Sequence, residues 1–240
     1  MLKQKCLQAV VLFGCVTTWA HAEPLQTLSC YIEPSADVTV GTTAEGRLVR
    51  MLVDRSDQVE KGQLLAELDS GLERAAIDTK SAQAAYAGRR LERIRDLTAA
   101  KLITEQEVDD IGTEKSIANL ELRERREQLK LKRITSPIDG VIVERMVTEG
   151  DLVTGGEVFR IVRLDPLYVE TVMPLERFGT IAKGDKYRVR LQHLESTHEA
   201  DVVNVDSIID AASSTYRVRL KLDNPGYKIP SGLKCSLFSI

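Results

Sequence analysis

The sequence predicts a mainly β protein with an α-helical coiled-coil hairpin: a β sandwich in two halves, split by the hairpin and followed by a small antiparallel β barrel. Three observations predict it. Residues 45–69 (EGRLVRMLVDRSDQVEKGQLLAELD) and 139–163 (DGVIVERMVTEGDLVTGGEVFRIVR) align without a gap at a constant offset of 94. Gly46/Gly140, Val49/Val143, Val53/Val147, Asp57/Asp151, Val59/Val153 and Gly62/Gly156 are identical across that offset. Between them lies a stretch of about sixty residues, 72–133, rich in Ala, Leu, Glu, Arg and Lys and free of proline. Beyond them, short β-prone runs recur between turn residues to the end of the chain.

Composition bounds the function. The 240 residues are 43% hydrophobic and 29% charged, ordinary for a globular protein of one or two domains. A formal net charge of -3 argues against a general nucleic-acid binder. Only 5% of residues are aromatic, which disfavours an aromatic-lined ligand cleft.

Residues 1–22 read as a secretory signal peptide. Lys3 and Lys5 precede an apolar stretch too short for a comfortable membrane span, and Ala20-His21-Ala22 supplies an A-x-A cleavage site. A lipoprotein acylation site at Cys15 and an uncleaved anchor are weaker alternatives. Export places the mature protein outside the cytoplasm, with association to the inner membrane left open. Cleavage leaves Cys30 and Cys235, which either pair or are buried separately as small apolar residues.

Residues 38–43 alternate and are β-branched, as a half-buried strand requires, and Glu45-Gly46 reads as a turn into a second strand over 47–53. The polar run 57–62 closes with a glycine before a strand over 63–68. At 69–71 the apolar period changes from 2 to about 3.5, with Ser70 and Glu73 at capping-box spacing. A first helix is expected to run to Ala99, with Ile77, Ala84, Leu91 and Thr98 at sevens and Ala87 and Ile94 between them. Thr104, three residues before Glu107, caps a second helix carrying Val108, Lys115, Leu122 and Leu129 at sevens with Ile111 and Ala118 between them, which Pro137 is expected to end. Helices of about 27 residues are about 40 Å long, and the short turn over 100–104 makes them antiparallel. Fourteen Lys/Arg against twelve Asp/Glu in 72–133 suit a solvated surface. The apolar stripe is narrow, so the hairpin is expected to gain order beside other hairpins.

Strands are then expected over 168–173, 187–191, 200–209, 216–222 and 235–240, with a short helix over 174–182. The domains follow: 1–22 signal peptide, 38–69 with 134–163 the split sandwich, 70–133 the hairpin, and 164–240 the barrel. No GxSxG, HExxH or phosphate-binding glycine loop occurs. His193 and His198 near Glu195 and Glu199 are read as solvated polar residues rather than metal ligands. No catalytic, cofactor or metal residues are assigned, and the chain is read as not an enzyme.

The duplicated half resembles the biotinyl/lipoyl-carrier fold. There the turn joining the halves presents the modified lysine. Here 69–71 is Asp-Ser-Gly and the hairpin replaces the turn, which argues against a carrier. A lipoyl-like sandwich split by a hairpin and followed by a barrel is similar to the periplasmic adaptor proteins, or membrane fusion proteins (HlyD-like, or serving resistance-nodulation-division efflux pumps). The residues carrying this are EGRL and VEKGQLLAELD, ITSPIDGVI and EGDLV, then LDPLYVE, DAASSTYRVRL, LDNPG and IPSGLKCSL in that order.

The resemblance implies an adaptor between an inner-membrane transporter and a TolC-like outer-membrane channel, a homo-oligomer in a ring of six, with no cofactor and no nucleic acid. It implies that the hairpin tip meets the channel through Arg93, Leu97 and Thr104, with Thr where the family has Ser. It also implies that 23–37 runs along the barrel beside its last strand, bringing Cys30 to Cys235 as a disulfide. Larger members continue into a membrane-proximal domain that follows the barrel. The expectation here is a short form lacking it, so an RND and an ABC-type transporter both stay open, as does an exported scaffold.

Overall fold

The structure is a computed structural model that describes residues 25, 27–99, 104–192, 194 and 196–240. The expected signal peptide, the hairpin turn at 100–103, and His193 and Glu195 lie outside the described residues. In chain order the elements are β1 (Ser29–Met51), β2 (Gln58–Val59), β3 (Leu64–Leu68), α1 (Gly71–Ala99), α2 (Glu105–Lys130), β4 (Arg133–Thr135), β5 (Gly140–Arg145) and β6 (Leu152–Pro174). A 3-10 turn (Leu175–Arg177) then leads to β7 (Lys186–Leu191), β8 (Thr197–Val205), β9 (Thr215–Leu222) and β10 (Cys235–Ser239).

β1 and β6 run antiparallel from Ser29 against Val172 to Arg47 against Leu152, and so pass through both β regions. The turn expected at Glu45-Gly46 is therefore not a turn. Gly46 is paired with Val153 inside β1, and bulges at Pro34/Ala36, Val40/Gly41 and Thr42/Glu45 absorb the irregularity. Pro166 lies within β6.

The duplication is visible in the pairing. Each half lends strands to the other, and the hydrogen bonds repeat at the sequence offset. Ser56 N–H donates to the Ile142 carbonyl, and Gly150 N–H to that of Leu48, both at 2.8 Å. Ile142 N–H donates to Asp57 at 3.0 Å and Leu48 N–H to Asp151 at 2.9 Å. Both turns need a left-handed residue, supplied by Ser56 (φ 74°) in one half and Gly150 (φ 99°) in the other. Between the halves, Leu48, Leu65, Leu68, Ile142, Phe159 and Ile161 are fully buried.

The other ends of β1 and β6 enter a barrel, in the order β1–β6–β9–β8–β7–β10. The Tyr31–Lys234 bridge returns β10 to β1, with Ile32 N–H on the Leu233 carbonyl and Gly232 N–H on that of Ile32. Ile32, Val169, Val189, Val202, Leu220 and Leu237 fill the core. The expected helix over 174–182 is only a 3-10 turn, since Gly179 adopts φ 83° and breaks it. The strand expected over 200–209 is set back to 197–205, and Ile208 is exposed.

α2 ends at Lys130, well before Pro137. Ile134 must be buried, and its strand β4 pairs with β3, so extended backbone overrides the helical propensity of Lys132 and Arg133.

Candidate partner-binding hairpin

The hairpin is held at its base. Lys132 Nζ donates to the Glu45 carbonyl at 2.6 Å and lies 3.0 Å from a Glu73 carboxylate oxygen. Thr42 Oγ1 donates to the Leu131 carbonyl at 3.0 Å, and Leu68 N–H to that of Lys132 at 2.8 Å. At the start of α1, the Asp69 carboxylate accepts from Gly71 N–H at 3.1 Å, while Glu73 faces Lys132, so the expected Ser70–Glu73 box is not the arrangement found.

Along the shaft part of the expected stripe forms the seam, while Val108, Lys115 and Leu129 of α2 are only partly buried. Ala84, Ala87, Leu91, Ile111, Ala118 and Leu122 are buried, with Ile77 partly so. Leu91, Ile111 and Leu122 are the sizeable burials, at about 1.5–3 kcal/mol each. That is little against the ordering of two long helices. Cross-hairpin pairs Arg90–Glu114 at 2.5 Å and Lys80–Glu121 at 2.7 Å add to it modestly.

Arg93 and Leu97 lie one turn apart on α1, hence on one face, and both are exposed. Arg93 has no ion-pair partner among the described residues. Thr104 is the N-cap of α2 (φ -82°, ψ 155°), its Oγ1 accepting from Glu107 N–H at 3.4 Å. The set expected at the tip thus contains two exposed side chains and one that also holds a helix end.

Cys30 and Cys235 are far from the tip in the fold. They form a disulfide joining β1 to β10, with a Cα–Cα distance of 5.0 Å. It borders a groove of about 890 Å³ lined also by Tyr31, Asp37, Arg160, Gln192 and Lys234. Hydrogen bonding from Arg160 holds the Asp37 carboxyl below the usual carboxylate range. The other depressed carboxyls are turn caps: Asp151 accepts from Thr148 N–H and hydroxyl, and Asp210 from Ser213 and Ala212 N–H. Burial raises the Tyr187 and Tyr216 hydroxyls. Each shift has a structural cause. His198 bonds Ser196 Oγ at 3.0 Å, and no group of three or more His, Cys, Asp or Glu that could hold a metal occurs among the described residues. No helix of the described residues is long and apolar enough to cross a membrane.

The base clamp of Lys132, Glu73, Glu45 and Thr42 was not foreseen. Lys132 is one of fourteen basic residues in the stretch, and nothing in its spacing marks it.

A profile of the family described as RND MFP, barrel-sandwich hybrid domain, matches residues 36–164, over half of the chain. The multidrug resistance protein MdtA of Escherichia coli is 26% identical over 216 aligned residues, covering 78% of this chain. The chain spans about half the length of that relative, 51%. Among solved structures, the fold is shared with a MacA-MexA chimeric protein containing the Pseudomonas aeruginosa MexA α-hairpin domain (TM-score 0.77, 22% identity, 90% of this chain and 82% of that one). It is shared also with the membrane fusion protein Spr0693 of Streptococcus pneumoniae R6 (TM-score 0.72, 18% identity, 89% and 99%) and MacA of Actinobacillus actinomycetemcomitans (0.69, 21%, 90% and 78%).

Proposed function

The chain belongs to the family of RND membrane fusion proteins with a barrel-sandwich hybrid domain, and from that premise we propose that it is a periplasmic adaptor subunit of a multi-component efflux or secretion pump. It links an inner-membrane transporter to a TolC-like outer-membrane channel, works as a ring of copies with hairpins side by side, and reaches the channel through Arg93, Leu97 and Thr104 at the hairpin tip. The observation that carries this reading is the hairpin itself. It is clamped at its base to the first sandwich half, has a thin core, and keeps Arg93 and Leu97 exposed near the far end. An enzyme would have little use for such a lever, and a connector needs one. The naming of MdtA for multidrug resistance supports efflux as the process. A cross-linker placed at position 97 in the periplasm tests it. Capture of an outer-membrane channel is expected, and capture from the barrel surface but never from 97 would refute the tip assignment.

A further inference from the structure

We infer that the groove along β1, where the barrel meets the sandwich, is a binding site for a small zwitterionic amphiphile whose ammonium stands between an alkyl chain and an anionic group. The groove encloses about 890 Å³, within the range of small-molecule sites.

Four charged side chains line it: Glu33, Asp37, Arg160 and Lys234. Asp37 and Arg160 satisfy each other through two bonds, at 2.9 and 2.5 Å. Glu33 and Lys234 make no ion pair among the described residues. Arg219 acts on Glu33 only through its field and is itself bonded to Glu170, and Glu144 acts in the same way on Arg160. One uncompensated anion and one uncompensated cation therefore face the same groove. A ligand of a single sign would meet one attracting group and one repelling group. A ligand carrying both signs meets two attracting groups.

The positions of the lining groups set the order of the ligand's parts. Tyr31 is bridged to Lys234 across the barrel seam. Glu33 lies two residues further along β1, on the same face as Tyr31 and about 7 Å from it at the rise of a strand. Asp37, opposite Val162 in β6, lies about 13 Å beyond Glu33. At the Lys234 end, Gln192 and Ser236 add neutral donors, and Arg190, opposite Ser236 in register, adds a second positive charge. In the middle, the Tyr31 ring is 38% exposed and offers its face to a quaternary ammonium beside the Glu33 carboxylate. At the sandwich end, Pro34, Val143 and Val162 supply apolar surface, and the Asp37–Arg160 pair brings no net charge. An alkyl chain on Val143 and Val162 thus places the ammonium at Glu33 and the anion at Lys234. The reverse order, with the anion next to the chain, would set that anion against Glu33. Such an occupant also spans the β1 bulge at Pro34/Ala36 and touches barrel and sandwich at once.

Calorimetric titration of the mature protein, disulfide intact, tests this with three probes below their micelle concentrations. They are decyl sulfobetaine (chain, quaternary ammonium, sulfonate, in that order), decyltrimethylammonium and decanesulfonate. The sulfobetaine is expected to bind at least tenfold more tightly than either singly charged probe. Glu33→Gln and Lys234→Gln are each expected to weaken it at least tenfold while leaving the thermal midpoint unchanged, since Lys234 is exposed and neither side chain is paired. A second measurement needs no variant: in the unaltered protein, the methyl resonances of Val143 and Val162 and the ring resonances of Tyr31 should shift as the sulfobetaine is added. A preference below tenfold, folded variants that bind as the parent does, or shifts confined to residues outside the groove would each overturn the site.

Discussion

The Lys132 ammonium stands 3.0 Å from the Glu73 carboxylate, joining the end of one hairpin helix to the start of the other, and both side chains are largely shielded from water, at 14% and 21% exposure. The same ammonium reaches the Glu45 carbonyl in β1, so one cation ties both helices to the sandwich. Replacing Lys132 by Ala leaves a carboxylate and a carbonyl short of their donor, and a loss of about 1–3 kcal/mol is expected. Urea titration of K132A, E73A and the double variant should show the two losses to be non-additive, with a coupling above about 0.5 kcal/mol. Additive losses would mean that the pair is not a unit.

Two glycines should respond oppositely to alanine. A Cβ on Gly41 would fall 2.0 Å from the Gly156 carbonyl oxygen, which belongs to the backbone and can move only by parting β1 from β6. Gly41→Ala is expected to destabilise by about 1–3 kcal/mol, as overpacking does. Gly112 lies in α2 with nothing within 4 Å of its would-be Cβ. Gly112→Ala is expected to stabilise by about 0.5–1 kcal/mol through helix propensity. Thermal unfolding of both variants reads the contrast directly.

The Cys30–Cys235 bond spans 205 residues of chain. By the chain-entropy account a loop of that size stabilises by about 5 kcal/mol. Among the described residues, β1 and β10 are joined by the Tyr31–Lys234 bridge and a few neighbouring hydrogen bonds, so the bond is a main tie at that join. Mass spectrometry of protein from the periplasm is expected to find no free thiols, and Cys30→Ser with Cys235→Ser to lower the unfolding midpoint sharply. Two free thiols in the native protein would refute the pairing.

Acid should weaken the fold through identifiable carboxylates. Asp37, Asp151 and Asp210 hold their folded-state pKa below the ordinary value. Each therefore takes its proton at higher pH unfolded than folded. Their stabilisation is present above the unfolded value near 3.9 and is lost as pH falls through the lower, folded value. Asp37→Asn removes a titrating partner of Arg160, so the variant should be less stable than the parent at neutral pH and differ less from it below about pH 4. A constant difference across that range in urea titrations would exclude Asp37 as a contributor.

Much of this architecture was readable because its signals are local or repeated. The identities at one offset exposed the two halves, and the same offset relates the hydrogen bonds of Asp57 to those of Asp151. Ala84, Ala87, Ala118 and Leu122 were marked by their spacing, although the same spacing also took in Val108, Lys115 and Leu129, which are only partly buried. What escaped depends on partners remote in sequence. Glu45-Gly46 has turn composition, yet Gly46 is drawn into β1 by Val153, over a hundred residues on. Lys132 reads as helix surface until β4 and β3 pair and fold it over Glu45.

The tip residues can be separated by what each would lose. Arg93 and Leu97 are exposed near the end of α1, so Arg93→Asp and Leu97→Ser should leave folding and export unchanged while abolishing pump-dependent drug resistance. Thr104 cannot be judged the same way, because its hydroxyl oxygen accepts from Glu107 N–H and caps α2. Thr104→Ala should cost about 1 kcal/mol in helix stability by itself. Thr104→Ser keeps the capping oxygen and removes only a methyl group, and it should keep both stability and resistance. Loss of resistance in T104A with full resistance in T104S would assign the residue to the hydroxyl. T104A that unfolds no more easily yet loses resistance would assign that hydroxyl to the channel rather than to the helix. Wild-type resistance in R93D and L97S would remove the tip from the mechanism.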